Sequence, residues 1–510
     1  MSSRLSAYAL ASASGVLLAL SFPKFGHPAL SWIALAPLLV ALAGATLRRA
    51  FTLGLLAGVV YFTGTLYWIT GVMATYGDMA RWVAVLINAL LVVYQSLYVA
   101  IFALVLRRIV VKRGPAALMA APIVWVATEL GRTHVFTGFP WVLLGYSQTS
   151  VLPLAQFASV FGVYGLSMLV ASVSAAVAMY ATARSGPAKA GHYLPAGLVL
   201  AVLITVAVWG SLRASRAEWT HTGDPIRVGL IQGNINQDEK TQAGRAAGIF
   251  QDYLRMTRQA IGEGAEFVIW PESSTPFRFE DDVRAAAQIR TLAQQARVPI
   301  LFGSDQFVRA ANTPITFYNS AFLVRPDGRT GGVYRKMHLV PFGEYVPVKN
   351  LLFFAAPLVQ AVSDFSAGEE ATLLPVGGHL VSTAICYEVV YPDLVRRFVA
   401  GGSELLTTIT NDAWFGPTSA PYQHFEQASM RAIEEGRYLV RSANTGISGI
   451  VDPYGRVVAR TGIFQPAVVV GDARFLKTST FYARHGDVLA YASVLVTALL
   501  LVLPSSRRVK

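Results

Sequence analysis

Apolar residues fill the first 215 positions in blocks too long for a soluble fold. Blocks at roughly 5–22, 29–47, 51–75, 82–106, 115–130, 155–181 and 193–212 each predict a membrane-spanning helix, and an eighth lies at 488–504. A span needs about 20 mostly apolar residues. The blocks 51–75, 82–106 and 155–181 reach that length without a charge, whereas 115–130 is short and carries Glu129. The pattern changes near residue 218. Apolar stretches at 226–232, 266–270, 298–307, 316–325, 379–386 and 404–410 read as buried strands. Segments 241–262, 283–297 and 422–440 have a helical pattern. Strands alternating with helices predict a layered α/β domain with a mainly buried sheet. The expected organisation is a transmembrane bundle over 1–215, an extramembrane domain over 218–485, a last span at 488–504 and a tail at 505–510. The first block is expected to stay as an uncleaved helix, since further spans follow it at once.

Composition supports this division. Hydrophobic residues make up 54% of the chain and charged residues 14%, against about 45–50% and 25% for soluble proteins. Disorder and an ordinary soluble enzyme are both poor fits. The net charge of +13 first suggests nucleic acid, but residues 1–217 hold 14 Lys and Arg against only Asp78 and Glu129. That leaves 28 basic and 27 acidic residues for 218–510. The excess sits in ones and twos between apolar blocks, so it reads as topology and not as a nucleic-acid groove. Alternate loops carry Arg4, then Arg48 and Arg49, then Arg107, Arg108, Lys112 and Arg113, then Arg184 and Lys189; Arg507, Arg508 and Lys510 end the chain. This set predicts cytoplasmic termini and places 218–485 on the opposite side.

The chemistry has few candidates. There is no Gly-x-Ser-x-Gly elbow, no nucleotide-binding Gly-x-x-x-x-Gly-Lys-Ser/Thr loop and no pair of histidines at zinc spacing. Neither a metal nor another cofactor is expected. The single cysteine, Cys386, follows the apolar run 380–385. A lone thiol there is either an inert core residue or a nucleophile presented at a strand end. Glu272 ends the run Phe267–Trp270 after Pro271, where burial would suit it to act as a base. Lys336 lies in Tyr334-Arg335-Lys336-Met337-His338-Leu339-Val340-Pro341-Phe342-Gly343-Glu344. Two loops, 351–359 with Phe353 and Phe354 and 413–417 with Trp414 and Phe415, are unusually apolar and suggest contact with lipid.

Glu272, Lys336 and Cys386, in this order and within Trp-Pro-Glu, Arg-Lys-Met-His-Leu-Val-Pro-Phe-Gly-Glu and Ile-Cys-Tyr-Glu, resemble the nitrilase superfamily of carbon–nitrogen hydrolases. Thr137–Trp141, Gln232–Asn234, Thr410–Gly416, Gln423-His424 and Arg441–Gly446 bring the chain closer to that superfamily's membrane-embedded branch, the apolipoprotein N-acyltransferases. The resemblance spans essentially the whole chain. It implies an αββα sandwich between a seven-helix bundle and one final span, in the bacterial cytoplasmic (inner) membrane with the domain in the periplasm. It further implies acyl transfer from a phospholipid, through a thioester on Cys386, to the α-amine of a diacylglyceryl-cysteine on an apolipoprotein. Glu272 would be the base and Lys336 the oxyanion partner. Glu344, Tyr387 and Glu388 would support them. Asn236–Lys240 replaces an aromatic that other members carry, which puts a substrate contact there in question. A monomer is expected. A membrane-tethered amidase or nitrilase acting on small amides would share this chemistry without needing eight spans or apolar loops. A non-catalytic scaffold or transporter would be expected to carry more polar groups within its spans.

Overall fold

The computed structural model describes residues 2–77, 79–183, 193–240, 243–309, 315–341, 343–345 and 365–504. They form two compact units. One draws on 1–74, 80–216 and 485–510, the other on 75–79 and 217–484.

The first unit is helical. Among the described residues, Leu47–Leu66, Arg81–Arg113, Ala158–Thr182 and Leu194–Thr220 are long and apolar enough to cross a membrane, and Leu5–Ala19, Pro28–Ala43 and Val488–Val502 are shorter apolar helices. Leu194, Leu198 and Leu212 are 68%, 59% and 52% exposed along one helix. Such a face would be costly in water but suits lipid. Several of the anticipated spans are interrupted. The block 29–47 resolves into a 3-10 turn at Pro28–Leu30 and helices Ser31–Ala34 and Ala36–Ala43, with a proline in the first turn of the last. Proline starts helices readily but cannot continue one. The block 51–75 is split between Leu47–Leu66 and Trp68–Tyr76. In the block 115–130, the 3-10 turn Pro115–Ala120 leads into helix Ala121–His134. There Glu129 is buried and accepts a 2.7 Å bond from the Leu144 N–H.

The second unit is a four-layer αββα sandwich. One sheet has the order β12-β1-β2-β3-β4-β5 and the other β11-β10-β9-β8-β7-β6. The first contains β1 (Asp224–Gln232), β2 (Phe267–Ile269), β3 (Ile300–Val308), β4 (Thr316–Val324), β5 (Thr330–Arg335) and β12 (Ala467–Phe475). The second contains β6 (Leu374–Val376), β7 (His379–Ile385), β8 (Leu405–Thr410), β9 (Leu439–Ala443), β10 (Gly449–Val451) and β11 (Val457–Arg460). Each sheet has three parallel strands at its centre, β1-β2-β3 and β7-β8-β9, with antiparallel partners outside. Helices Ala243–Gly262 and Val283–Ala296 cover the first sheet, burying Tyr253 and Ile289 against Trp270, Phe302 and Phe322. Helices Pro392–Ala400 and Ala420–Glu435 cover the second. Parallel strands buried on both faces need continuous apolar runs, and β2 and β8 are buried at every position. The anticipated helix 422–440 ends at Glu435, because Gly436 takes the left-handed conformation (φ 64°) that terminates it. The chain then enters β9.

Candidate active site

The parallel strands of both sheets end at one place. Glu272 follows β2, Lys336 follows β5, and Cys386, Asn411 and Asn444 follow β7, β8 and β9. The turn carrying Glu272 runs closely over β3. A Cβ on Gly303 would lie 2.5 Å from Ser273 N and 2.7 Å from Glu272 Cα, so only glycine fits there.

Lys336 is 1% exposed. Its Nζ donates to Glu344 Oε1 at 2.8 Å and reaches Glu272 Oε1 at 3.4 Å. Asn319 Nδ2 joins the same two carboxylates, at 2.8 Å from Glu272 and 2.9 Å from Glu344. The other oxygens are also held: Asn411 N–H donates to Glu272 Oε2 at 2.9 Å and Val340 N–H to Glu344 Oε2 at 2.8 Å. Burial works against the lysine's charge, but Glu344 and Glu272 outweigh it and hold its pKa above the ordinary value. Lys336 therefore stays cationic. Burial pushes the Cys386 thiol up, Glu272 adds to this, and Lys336 opposes it without reversing it. The resting thiol is protonated and needs a base.

Cys386 adopts a left-handed backbone conformation, φ 52°. For a residue with a Cβ this costs about 1–3 kcal/mol and must be held by its surroundings. Two buried networks hold it. Glu388 Oε2 accepts from Ile385 N–H at 2.7 Å, while its Oε1 accepts from Met337 N–H at 2.7 Å, His338 N–H at 3.0 Å and Tyr334 O–H at 2.7 Å. Glu388 thus ties the nucleophile turn to the lysine turn. On the other side, His424 Nε2 donates to the Cys386 carbonyl at 3.2 Å. Its Nδ1 lies 3.0 Å from Arg441 Nη2 and 3.1 Å from Asp412 Oδ1, and Arg441 Nη2 donates to Asp412 Oδ2 at 3.0 Å. Burial and Arg441 push the His424 pKa down. A neutral ring that donates through Nε2 accepts from Arg441 at Nδ1, which fixes its tautomer. Burial alone would raise the Asp412 carboxyl, but the Arg441 guanidinium holds it well below the usual range.

The structure brings together Glu272, Lys336, Glu344, Cys386, Tyr387 and Glu388. Tyr387 is buried, with its ring 6.0 Å from His338 and 5.2 Å from Tyr391. Trp414 and Phe415 are only half-buried. Trp414 meets Tyr76 edge-on at 5.1 Å, and Phe415 meets His424 at 5.9 Å. Phe353 and Phe354, with the whole loop 351–359, lie outside the described residues. Asn319 was not singled out in the sequence. Its signal was one amide, between Tyr318 and Ser320, inside a mainly apolar run. Asn411 Nδ2 donates to Gln237 Oε1 at 3.0 Å, so the segment with the unusual sequence lines this site. Among the described residues no group of three or more His, Cys, Asp or Glu could hold a metal ion.

Two family models match the chain. Apolipoprotein N-acyltransferase N-terminal domain covers residues 14–176 and Carbon-nitrogen hydrolase covers 227–477. An apolipoprotein N-acyltransferase from Geobacter metallireducens is 41% identical over 98% of this chain and 96% of that one. Another, from Methylococcus capsulatus, is 34% identical over 94% and 92%. Among solved structures, an amidase from Nesterenkonia sp. is 20% identical, with a TM-score of 0.38 over 50% of this chain and 93% of that one.

Proposed function

The chain belongs to the apolipoprotein N-acyltransferase family, a membrane acyltransferase that N-acylates lipoproteins, and from that premise we propose how its residues carry the reaction. Glu272 takes the thiol proton as Cys386 Sγ attacks the ester carbonyl of a phospholipid. The S–C bond forms, the ester C–O bond breaks, and the lysophospholipid leaves with the proton that Glu272 returns. In the tetrahedral intermediate the Lys336 ammonium balances the oxyanion. The α-amine of the lipoprotein's diacylglyceryl-cysteine then attacks the thioester. The C–N bond forms, the C–S bond breaks, and the amine's proton passes through Glu272 back to sulfur. No nucleotide is needed, because a thioester is activated enough to acylate an amine.

The observation that carries this reading is the lysine clamped between Glu272 and Glu344 beside a cysteine held at positive φ. A base, a permanent cation and a protonated thiol are the three parts the first half-reaction requires. We also propose a monomer in the bacterial inner membrane, with cytoplasmic termini and the sandwich domain in the periplasm; the one-sided Lys and Arg loops support it. The test is intact-protein mass spectrometry after incubation with phospholipid and no acceptor. The wild type is expected to gain one acyl mass that hydroxylamine removes, and Cys386→Ala to gain none. The same adduct on both proteins would overturn the assignment.

A further inference from the structure

At the amino end of β8, away from Cys386, the sandwich opens into a cleft of about 420 Å³ lined by Arg396, Glu404, Arg437, Lys477, Ser479 and Arg484. Four of these six side chains are cationic. Arg396 comes from helix Pro392–Ala400, Arg437 from the turn before β9, Lys477 and Ser479 from the segment after β12, and Arg484 from the short helix Phe481–His485. Four separate parts of the fold therefore converge on one concave, basic surface.

Their charge is poorly compensated. Arg396 Nη1 donates to the Ala483 carbonyl at 3.4 Å and Arg484 Nε to the Thr480 carbonyl at 3.3 Å. Arg437 Nε donates to the Ser403 carbonyl at 2.9 Å, and its Nη1 to the carbonyls of Gly436 and Thr478. These acceptors are all neutral. Among the described residues none of the three guanidiniums forms an ion pair with a carboxylate. The lining carboxylate, Glu404, stands 3.8 Å from Lys477 and already holds His379 at 2.7 Å. Glu435 is buried nearby; burial and Glu434 push its carboxyl up, against the pull of Arg431, Arg437 and Arg396. Burial lowers Arg437 only to about 10, which leaves it charged at neutral pH. Four cations facing one lining carboxylate in a single cleft form an anion site.

The occupant follows from size and from chain connection. A volume of this order suits a small molecule or a head group, being within about 300–1,000 Å³. Arg484 is followed after three residues by the apolar helix Val488–Val502. At no more than about 3.6 Å per residue, the cleft's Arg484 lies within roughly 15 Å of that helix's start. The anions concentrated at that depth are lipid phosphodiesters. The cleft is not the acyl-transfer site. Glu404 immediately precedes β8, whereas Asn411 beside Glu272 immediately follows it, a strand of six residues or about 20 Å away.

We propose that this cleft binds the phosphodiester head group of an anionic membrane phospholipid, as a lipid site separate from the one at Cys386. Binding there needs no turnover, so its readout is independent of the thioester mechanism. The test is native mass spectrometry of the full-length protein in detergent, titrated separately with phosphatidylglycerol and phosphatidylcholine. The wild type should retain one phosphatidylglycerol at concentrations where phosphatidylcholine is lost. Arg396→Gln/Arg484→Gln should weaken that binding about tenfold. Lys477→Glu should weaken it as well, and because Lys477 is 79% exposed this variant tests the cleft without threatening the fold. Equal retention by the wild type and Lys477→Glu would overturn the proposal, as would the absence of any preference for the anionic lipid. Displacement of the lipid by millimolar inorganic phosphate or glycerol 3-phosphate would assign the cleft to a soluble phosphate ester and overturn the lipid assignment.

Discussion

A cysteine whose thiol is pushed up by burial can be a nucleophile only if its neighbours are placed to fractions of an ångström. His424 is the neighbour with the least obvious part. Its ring donates to the Cys386 carbonyl, and Arg441 and Asp412 fix its orientation from behind. It acts on the Cys386 backbone and is therefore a positioning residue. His424→Ala should slow thioester formation by about 10–100-fold, corresponding to the roughly 1–3 kcal/mol of a buried group left without its partner. The apparent affinity for phospholipid should change little, and His424→Gln, which can still donate to the carbonyl, should recover part of the rate. Single-turnover loading kinetics would separate the two effects; an equal loss in both variants with weakened lipid affinity would mean general disruption. Glu388 acts on the same turn and leaves a pH signature. Burial raises its carboxyl from 4.5 to about 7, against the bonds it accepts from Ile385, Tyr334 and His338. Between those values the folded state holds a proton that the unfolded state has released. Its contribution is thus fully present below about 4.5 and is lost as pH rises to about 7. At 1.36 kcal/mol per pH unit the loss is about 3 kcal/mol. Thermal unfolding across this range should show the decline in the wild type, and Glu388→Gln should flatten it.

At the scale of elements, the site depends on strand ends being brought close enough for a lysine to touch two carboxylates. Gly303 is the tightest point of that assembly. Gly303→Ala would push β3 from the Pro271–Ser273 turn, since the new methyl would meet backbone atoms that cannot swing aside. Overpacking of this kind costs about 1–3 kcal/mol, and the displaced Glu272 should reduce Cys386 acylation well beyond that loss of stability. Comparing acylation rates with unfolding temperatures for Gly303→Ala and a solvent-facing control would show whether the effect is local to the base. The long central strands were legible from sequence because burial on both faces demands unbroken apolar runs; β4, β7 and β8 lie within the anticipated stretches, and β1 and β3 overrun theirs by two residues and one. The strands β5, β6, β9, β10, β11 and β12 were not. They are short or lie at sheet edges, and β11 is largely exposed, so no periodic apolar signal marks them. The same reason separates the site's legible part from the rest. Glu272, Lys336 and Cys386 stand in distinctive local sequence. Asn319 owes its place to a pairing of β4 with β5 that puts it opposite the lysine turn, and the residues of that pair are not neighbours in sequence. His424, Asn234 and Asn411 could be noticed but not assigned, because their partners are 12 to more than 200 positions away.

For the whole molecule, the distribution of charge supports the proposed topology through contacts as well as through counting. Lys112 and Arg113, at the end of helix Arg81–Arg113, donate to the carbonyls of Leu501 at 2.7 Å and Leu500 at 3.0 Å, at the end of helix Val488–Val502. Two helices whose carboxyl ends share such bonds finish on the same side of a membrane. Cations there also complement the partial negative charge of the second helix's terminus. The end carrying Lys112 and Arg113 is one of the basic positions that the charge rule assigns to the cytoplasm. Arg48 belongs to the same set, whereas Asp472 belongs to the near-neutral sandwich. Both are exposed, and the chain has a single native thiol, so a clean labelling test is available. In a Cys386→Ala background, Asp472→Cys should react in spheroplasts with a maleimide that cannot cross the membrane. Arg48→Cys should react only after the membrane is permeabilised. The reverse pattern would put the sandwich in the cytoplasm, and labelling of both before permeabilisation would mean that residue 48 lies outside as well. Either result would remove the topology while leaving the geometry around Cys386 untouched, because that geometry is built within the sandwich domain. The two conclusions therefore fail independently: the nucleophile is tested by an acyl mass, and its compartment by which thiol a charged reagent can reach.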